Sequence, residues 1–178
     1  DLIDDVSQAT RDLAQDDTAG RRWCRQNRYP GYTSYGSLND LPQRLPEFAD
    51  LKRHLDRHAT AFAKALNFDL ARKPRLDSLW VNILKPGGHH SGHIHPHSIL
   101  SGTVYIDVPD KASPLKLEDP RLPMMMNRPG LTDAATEMEK SFIYLHPQPG
   151  TVLMWESWLR HEVPVNAAKS ERISVSFN

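Results

Sequence analysis

In the stretch GGHHSGHIHPHS, five of the chain's nine histidines (His89, His90, His93, His95 and His97) fall within one nine-residue window. Alternate residues of a strand share a face, so His93, His95 and His97 would project together. A His-x-His pair is then a natural two-ligand clamp, both imidazoles reaching one point from one edge of a sheet. The chemistry that spacing suits is metal binding. The plainer alternative is a solvated, tag-like cluster, but this tract is internal and runs into a convincing strand.

A metal needs a third ligand from elsewhere. His161 is the best placed: PQPGTVLMWESWLRHEVPVN has a tight turn at Pro149 and Gly150, then a buried-looking strand, then a loop delivering His161. His146 reads as a surface histidine. His54 and His58 stand four apart on a helix, a ligand spacing, but they flank a packing stripe and read as solvated.

Arg172 lies in the closing strand RISVSFN. There Arg172, Ser174 and Ser176 share one face, and Ile173, Val175 and Phe177 the other. An arginine on the inward, polar face would be an expensive burial without an anion. Its planar fork suits a carboxylate bidentately. Beside the histidines, it reads as an anion anchor next to a metal.

The elements that must position these groups differ along the chain. LIDDVSQATRDLAQ carries Leu2, Ile3, Val6, Ala9 and Leu13 near helical spacing, with acids in its first turn. Residues 21–46 read as irregular, rich in Gly, Ser, Asn, Asp and Pro. From Pro46 to about Asn67, Phe48, Leu51, Leu55, Ala59, Phe62 and Leu66 form one apolar stripe. From Leu76 the period changes: LWVNIL, ILSGTVYIDV, SFIYLHP, TVLMW and RISVSFN are short, β-branched and aromatic runs bounded by turn residues. Short strands without intervening helices predict a sandwich or barrel. Trp80 and Trp155 read as core, with Trp158 as core or pocket wall. Residues 121–140 read as a long, mobile insertion or lid, with Met124, Met125 and Met126 offering adaptable apolar contacts. The expectation is one domain, 1–178, with a helical part (1–75) packed on a β core (76–178).

Composition narrows the function. With 178 residues the chain can bury one sizeable core. Lys plus Arg and Asp plus Glu are both 22, so a nucleic-acid partner held by a basic field is not expected. No apolar run approaches the ~20 residues that span a bilayer. A single cysteine, Cys24, excludes an internal disulfide and a Cys-based zinc site, and a reducing, cytoplasmic setting is expected. The chain opens on Asp1 with no signal-like apolar stretch, so an excised fragment, or a chain lacking its native N-terminus, is expected.

Taken together, His-x-His, then Leu100-Ser101-Gly102-Thr103-Val104-Tyr105, then Pro-Gly-strand-His161-x-Val163, then Arg172-x-Ser174 resemble the 2-oxoglutarate- and Fe(II)-dependent oxygenases. The nearest branch carries a "His-x-His-Pro…Ser-Gly-x-x-Tyr" core and a closing "Arg-Ile-Ser-x-Ser-Phe-Asn". The DPR at Asp119 to Arg121 and the following MMMN also look like that branch. The resemblance covers about Leu76 to Asn178 and is silent on substrate.

It implies a double-stranded β-helix, or jelly roll, with His93, His95 and His161 as metal ligands. It also implies Arg172 on the distal carboxylate of 2-oxoglutarate, with Ser174 beside it and Tyr105 and Asn82 as further cosubstrate contacts. Fe(II), 2-oxoglutarate and O2 are the implied cofactors and partners, with Zn, Ni or Mn as substituting metals. The substrate, a small molecule or a peptide, and the oligomeric state stay open.

One departure matters: the family's usual triad has a carboxylate where this chain has His95. Glu118, Asp119 or Asp107 could serve instead, and His95 with His97 is an alternative pair. Two other functions fit a three-histidine set: a cupin-like metalloenzyme that needs no 2-oxoglutarate, and a jelly-roll domain that binds metal without catalysis.

Overall fold

A computed structural model describes residues 1–178. Three helices lead the chain, α1 (Leu2–Asp16), α2 (Thr18–Gln26) and α3 (Pro46–Ala65), with the short strand β1 (Gly31–Thr33) between the last two. The remaining strands are β2 (Leu79–Leu84), β3 (His90–His93), β4 (Leu100–Asp107), β5 (Leu115–Glu118), β6 (Phe142–Leu145), β7 (Val152–Glu156), β8 (His161–Val163) and β9 (Arg172–Phe177). They form a five-stranded antiparallel sheet, ordered β1-β2-β9-β4-β7, and a four-stranded one, ordered β3-β8-β5-β6. The fold is mainly β, a double-stranded β-helix with N-terminal helices.

The major sheet is buried on both faces, for two different reasons. Val81, Ile83, Val104, Ile106, Ile173, Val175 and Phe177 form one apolar core with Val6 of α1, Cys24 of α2, and Phe48, Leu51 and Leu55 of α3. Those three α3 residues are the first half of the stripe predicted at 46–67; Ala59, Phe62 and Leu66 stay only half-buried. The other face carries Thr33, Asn82, Ser101, Thr103, Arg172 and Ser174, all buried, and looks toward the minor sheet. Period-2 alternation thus puts hydrocarbon under the helices and polar atoms inside the sandwich. Trp80 and Trp155 are buried as expected, whereas Trp158 is exposed.

Gly102 marks the closest approach on the apolar side. A Cβ there would sit 2.3 Å from the Phe177 ring and 2.7 Å from the Leu153 carbonyl oxygen. No side chain fits between β9 and β7 at that point.

Several elements differ from the sequence expectation. α2 and β1 lie within or across a stretch read as irregular. α2 is short and strongly polar (TAGRRWCRQ), burying only Gly20 and Cys24, so it shows no apolar stripe. Asp17 caps it, accepting from the Gly20 N–H at 2.8 Å, and also accepts from Tyr32 Oη at 2.9 Å, which ties β1 to the helix. Residues 121–140, in which no regular element was expected, hold two 3₁₀ turns stitched by Arg128, which donates to the Glu139 carbonyl and to Ser141 Oγ. Met124, Met126 and Met138 there are 77%, 88% and 89% exposed, while Met125 turns inward to Arg128 and Ser141.

Candidate metal and anion site

His93 ends β3 and His161 begins β8, and the two are direct register partners across the minor sheet. His95 follows two residues beyond the end of β3, its backbone N–H donating to the Ser157 carbonyl at 3.0 Å. The ligating nitrogens of His93, His95 and His161 all lie within 4.8 Å of one another. His161 was expected on a loop; it opens a strand too short, at three residues, to show a period.

The sequence expectation that His97 shares this face fails. Pro96 cannot extend the β ladder, and His97 takes φ +74°, carrying its ring away to an exposed position. The carboxylate alternatives do not join the cluster, which holds the three histidines alone, and each acid is paired with an arginine instead. Asp107 pairs with Arg11 at 2.9 Å, Asp119 with Arg121 at 2.7 Å, and Glu118 with Arg160 at 3.2 Å. His54, His58 and His146 are exposed, as read.

Hydrogen bonding fixes how two of the three rings carry their protons. A carbonyl oxygen only accepts, so His161 Nδ1, 2.9 Å from the Leu159 oxygen, bears a proton. His93 Nδ1, 2.6 Å from the Ser91 oxygen, does likewise. In the neutral rings both Nε2 atoms therefore present lone pairs, the arrangement of metal-bound histidines whose other nitrogen is tied to a carbonyl. Burial, the largest influence, lowers the pKa of His95 and of His161 to about 4, so both are neutral at pH 7. Trp155 packs 4.6 Å from His161, and Trp80 stacks 6.2 Å from His95, walling the cluster with aromatic rings.

On the facing sheet, Arg172 is 1% exposed and forms no salt bridge. Its only side-chain hydrogen bond is a long one, Nη1 donating to Ser174 Oγ at 3.5 Å. The guanidinium stands 4.9 Å over the Tyr105 ring. Arg172 Nε, Tyr105 Oη and Trp155 Nε1 are all buried without a partner, and all three stand on the inner face of the major sheet. Each can donate a proton, so what the interior lacks is an acceptor, and an anion beside the guanidinium above all. A dicarboxylate 2-oxo acid is made of acceptors. The donor set and the histidine cluster thus fit an anionic chelator and a divalent cation.

Asn82, expected as a cosubstrate contact, is held in place by its neighbours on the inner face. Its Oδ1 accepts from Thr33 Oγ1 at 2.8 Å and from Tyr29 Oη at 3.3 Å, and its Nδ2 donates to Ser176 Oγ at 3.1 Å. One Nδ2 proton is left over. Tyr29, Thr33 and His90 were missed in the sequence. His90 lies in the histidine-rich window, but Tyr29 and Thr33 are distant in sequence, and only the strand register brings them to Asn82.

The family model described as "Putative 2OG-Fe(II) oxygenase" matches residues 78–178. The chain belongs to this 2OG-Fe(II) oxygenase family. Solved structures agree on the fold. A 2OG-Fe(II) oxygenase family oxidoreductase from Burkholderia pseudomallei matches at 17% identity and TM-score 0.52, over 75% of this chain and 57% of that one. A Pseudomonas putida prolyl-4-hydroxylase matches at 16% and 0.52, over 77% and 67%. The non-heme alpha ketoglutarate dependent epimerase SnoN from nogalamycin biosynthesis matches at 17% and 0.57, over 83% and 60%. The chain thus spans 57 to 67% of the length of these proteins. Among curated protein sequences none matches it. No helix is long and apolar enough to cross a membrane.

Proposed function

We propose that the oxygenase couples oxidative decarboxylation of 2-oxoglutarate to oxidation of an organic substrate, a small molecule or a peptide. His93, His95 and His161 are the Fe(II) ligands in this reading, and Arg172 anchors the distal carboxylate. The observation that carries it is the buried, unpaired Arg172 in the same sandwich as a partly buried three-histidine cluster. When bound, iron and 2-oxoglutarate would supply the O2 chemistry, releasing succinate and CO2 and oxidising a substrate C–H bond.

The chain's own residues do the rest. His93 and His161 hold their Nε2 lone pairs toward the cation because Ser91 and Leu159 fix the Nδ1 protons. Arg172 and Tyr105 donate to the carboxylate, and Ser174 Oγ orients the guanidinium. Three neutral ligands leave the divalent charge uncompensated by protein, so an anionic cosubstrate is the natural partner. Trp80 and Trp155 exclude water beside the ligands, which strengthens both electrostatic interactions.

A three-histidine metalloenzyme that needs no 2-oxoglutarate is the second reading, favoured by the absence of a carboxylate in the cluster. It leaves Arg172 unexplained. Succinate formation separates the two. With Fe(II) under air, purified protein should release succinate from 2-oxoglutarate even without its substrate, and the Arg172→Met variant should not. No succinate from iron-loaded wild type, with candidate substrates supplied, would favour the second reading.

A further inference from the structure

Tyr29 lies in the link between α2 and β1, outside the residues the family model matches. Its phenol oxygen is 2.8 Å from His90 Nε2 and donates to Asn82 Oδ1 at 3.3 Å. With that proton committed, His90 Nε2–H donates to the phenol oxygen, and the chain of bonds runs on through Asn82 Nδ2–H to Ser176. His90 belongs to β3, the edge strand of the minor sheet, and Asn82 to β2, next to the edge of the major one. Tyr29 therefore closes the seam between the two sheets with a polar bridge.

The seam runs beside Arg172. Asn82 is the register partner of Ser174, and Leu84, two residues on, is the partner of Arg172. The bridge is also rigidly held. The Tyr29 N–H donates to the Cys24 carbonyl at 2.9 Å, and Thr33 Oγ1 donates to the same Asn82 oxygen from the other side. A ring fixed by two hydrogen bonds cannot swing aside for a longer ligand without leaving buried polar atoms unpaired.

Resting on the reading of Arg172 as the cosubstrate anchor, we infer that Tyr29 and His90 form a side wall along the span between Arg172 and the histidine cluster and limit the length of dicarboxylate that fits it. Arg172 and Tyr105 fix where the far carboxylate stops, and the histidine cluster fixes where the 2-oxo acid end must chelate. An added methylene has to be taken up between those points, against the wall.

The test is equilibrium binding to protein loaded with Zn(II), which supports no turnover, by calorimetry with 2-oxoglutarate and with 2-oxoadipate, one methylene longer. Wild type should prefer 2-oxoglutarate by about ten-fold or more, and Tyr29→Ala should narrow the ratio to about three-fold or less. Tyr29→Phe, which keeps the ring but loses the two hydrogen bonds that hold it, should narrow the ratio part of the way. His90→Ala opens the same wall from the other sheet and serves if Tyr29→Ala does not fold. A tyrosine that only supports the fold would weaken both acids alike; an unchanged ratio in Tyr29→Ala and His90→Ala would overturn the inference while leaving the anchor intact. Wild type that binds neither acid would overturn the anchor reading itself.

Discussion

The Nε2 atoms of His95 and His161 lie 3.2 Å apart, with the rings nearly parallel at an interplanar angle of 13°. His161 Nε2 carries only a lone pair, because its one proton is on Nδ1 facing the Leu159 carbonyl. In the metal-free protein a proton on His95 Nε2 must stand between them; a divalent cation does the same work with a third partner in His93. Adding Fe(II) or Co(II) anaerobically should therefore raise the Tm by several degrees, and quench Trp155, whose ring packs 4.6 Å from His161. His161→Ala should abolish both responses. A Tm indifferent to metal would contradict the site.

Arg172 should behave as a stability liability kept for binding. A charge buried without a partner is costly, so an apolar side chain of similar length in its place is neutral or stabilising. Arg172→Met should accordingly match or exceed wild type in urea midpoint when no 2-oxo acid is present. Saturating 2-oxoglutarate should raise the midpoint of iron-loaded wild type alone, under anaerobic conditions. A variant that is several kcal/mol less stable would mean that Arg172 has structural partners the account omits.

Acid should destabilise the metal-free protein in a defined window. Burial lowers the pKa of His95 and His161 to about 4, and burial together with the Arg172 charge does the same for His90. Unfolded histidine titrates near 6.5. Between those values the unfolded chain binds more protons, so stability is complete above about 6.5 and declines as pH falls toward 4. Urea midpoints at pH 7.5 and pH 5 measure this, and His90→Gln should flatten the decline. A midpoint unchanged at pH 5 would contradict it.

The helical layer should be separable from the site. Phe48 of α3 is fully buried in the core beneath the outer face of the major sheet. Phe48→Ala should cost about 3–5 kcal/mol of stability. Metal affinity at 10 °C should stay near that of wild type, because the histidines are carried by the other sheet. Loss of metal binding in a folded Phe48→Ala protein would show the two layers to be coupled.

Much of this was legible in residues 76–178. The alternation in RISVSFN put Arg172 and Ser174 inward and Ile173 and Val175 under the helices, and His-x-His marked the clamp. Strand propensity overran at His97 because it takes no account of Pro96, which ends the face shared by His93 and His95. α2 escaped because a nine-residue polar helix with a glycine has no stripe to read. β8 and β1 are three residues each and too short for any period. The Tyr29–His90–Asn82 bridge joins residues as many as 61 positions apart, a contact only the register can make.

The most direct test of the central claim is anaerobic titration of Fe(II)-loaded protein with 2-oxoglutarate, following the weak visible charge-transfer band of the bidentate chelate. The account predicts a saturable band in wild type and none in Arg172→Met at the same concentrations, with iron still bound in both. Iron-loaded wild type that shows no band, or an Arg172→Met variant that titrates like wild type, would contradict it.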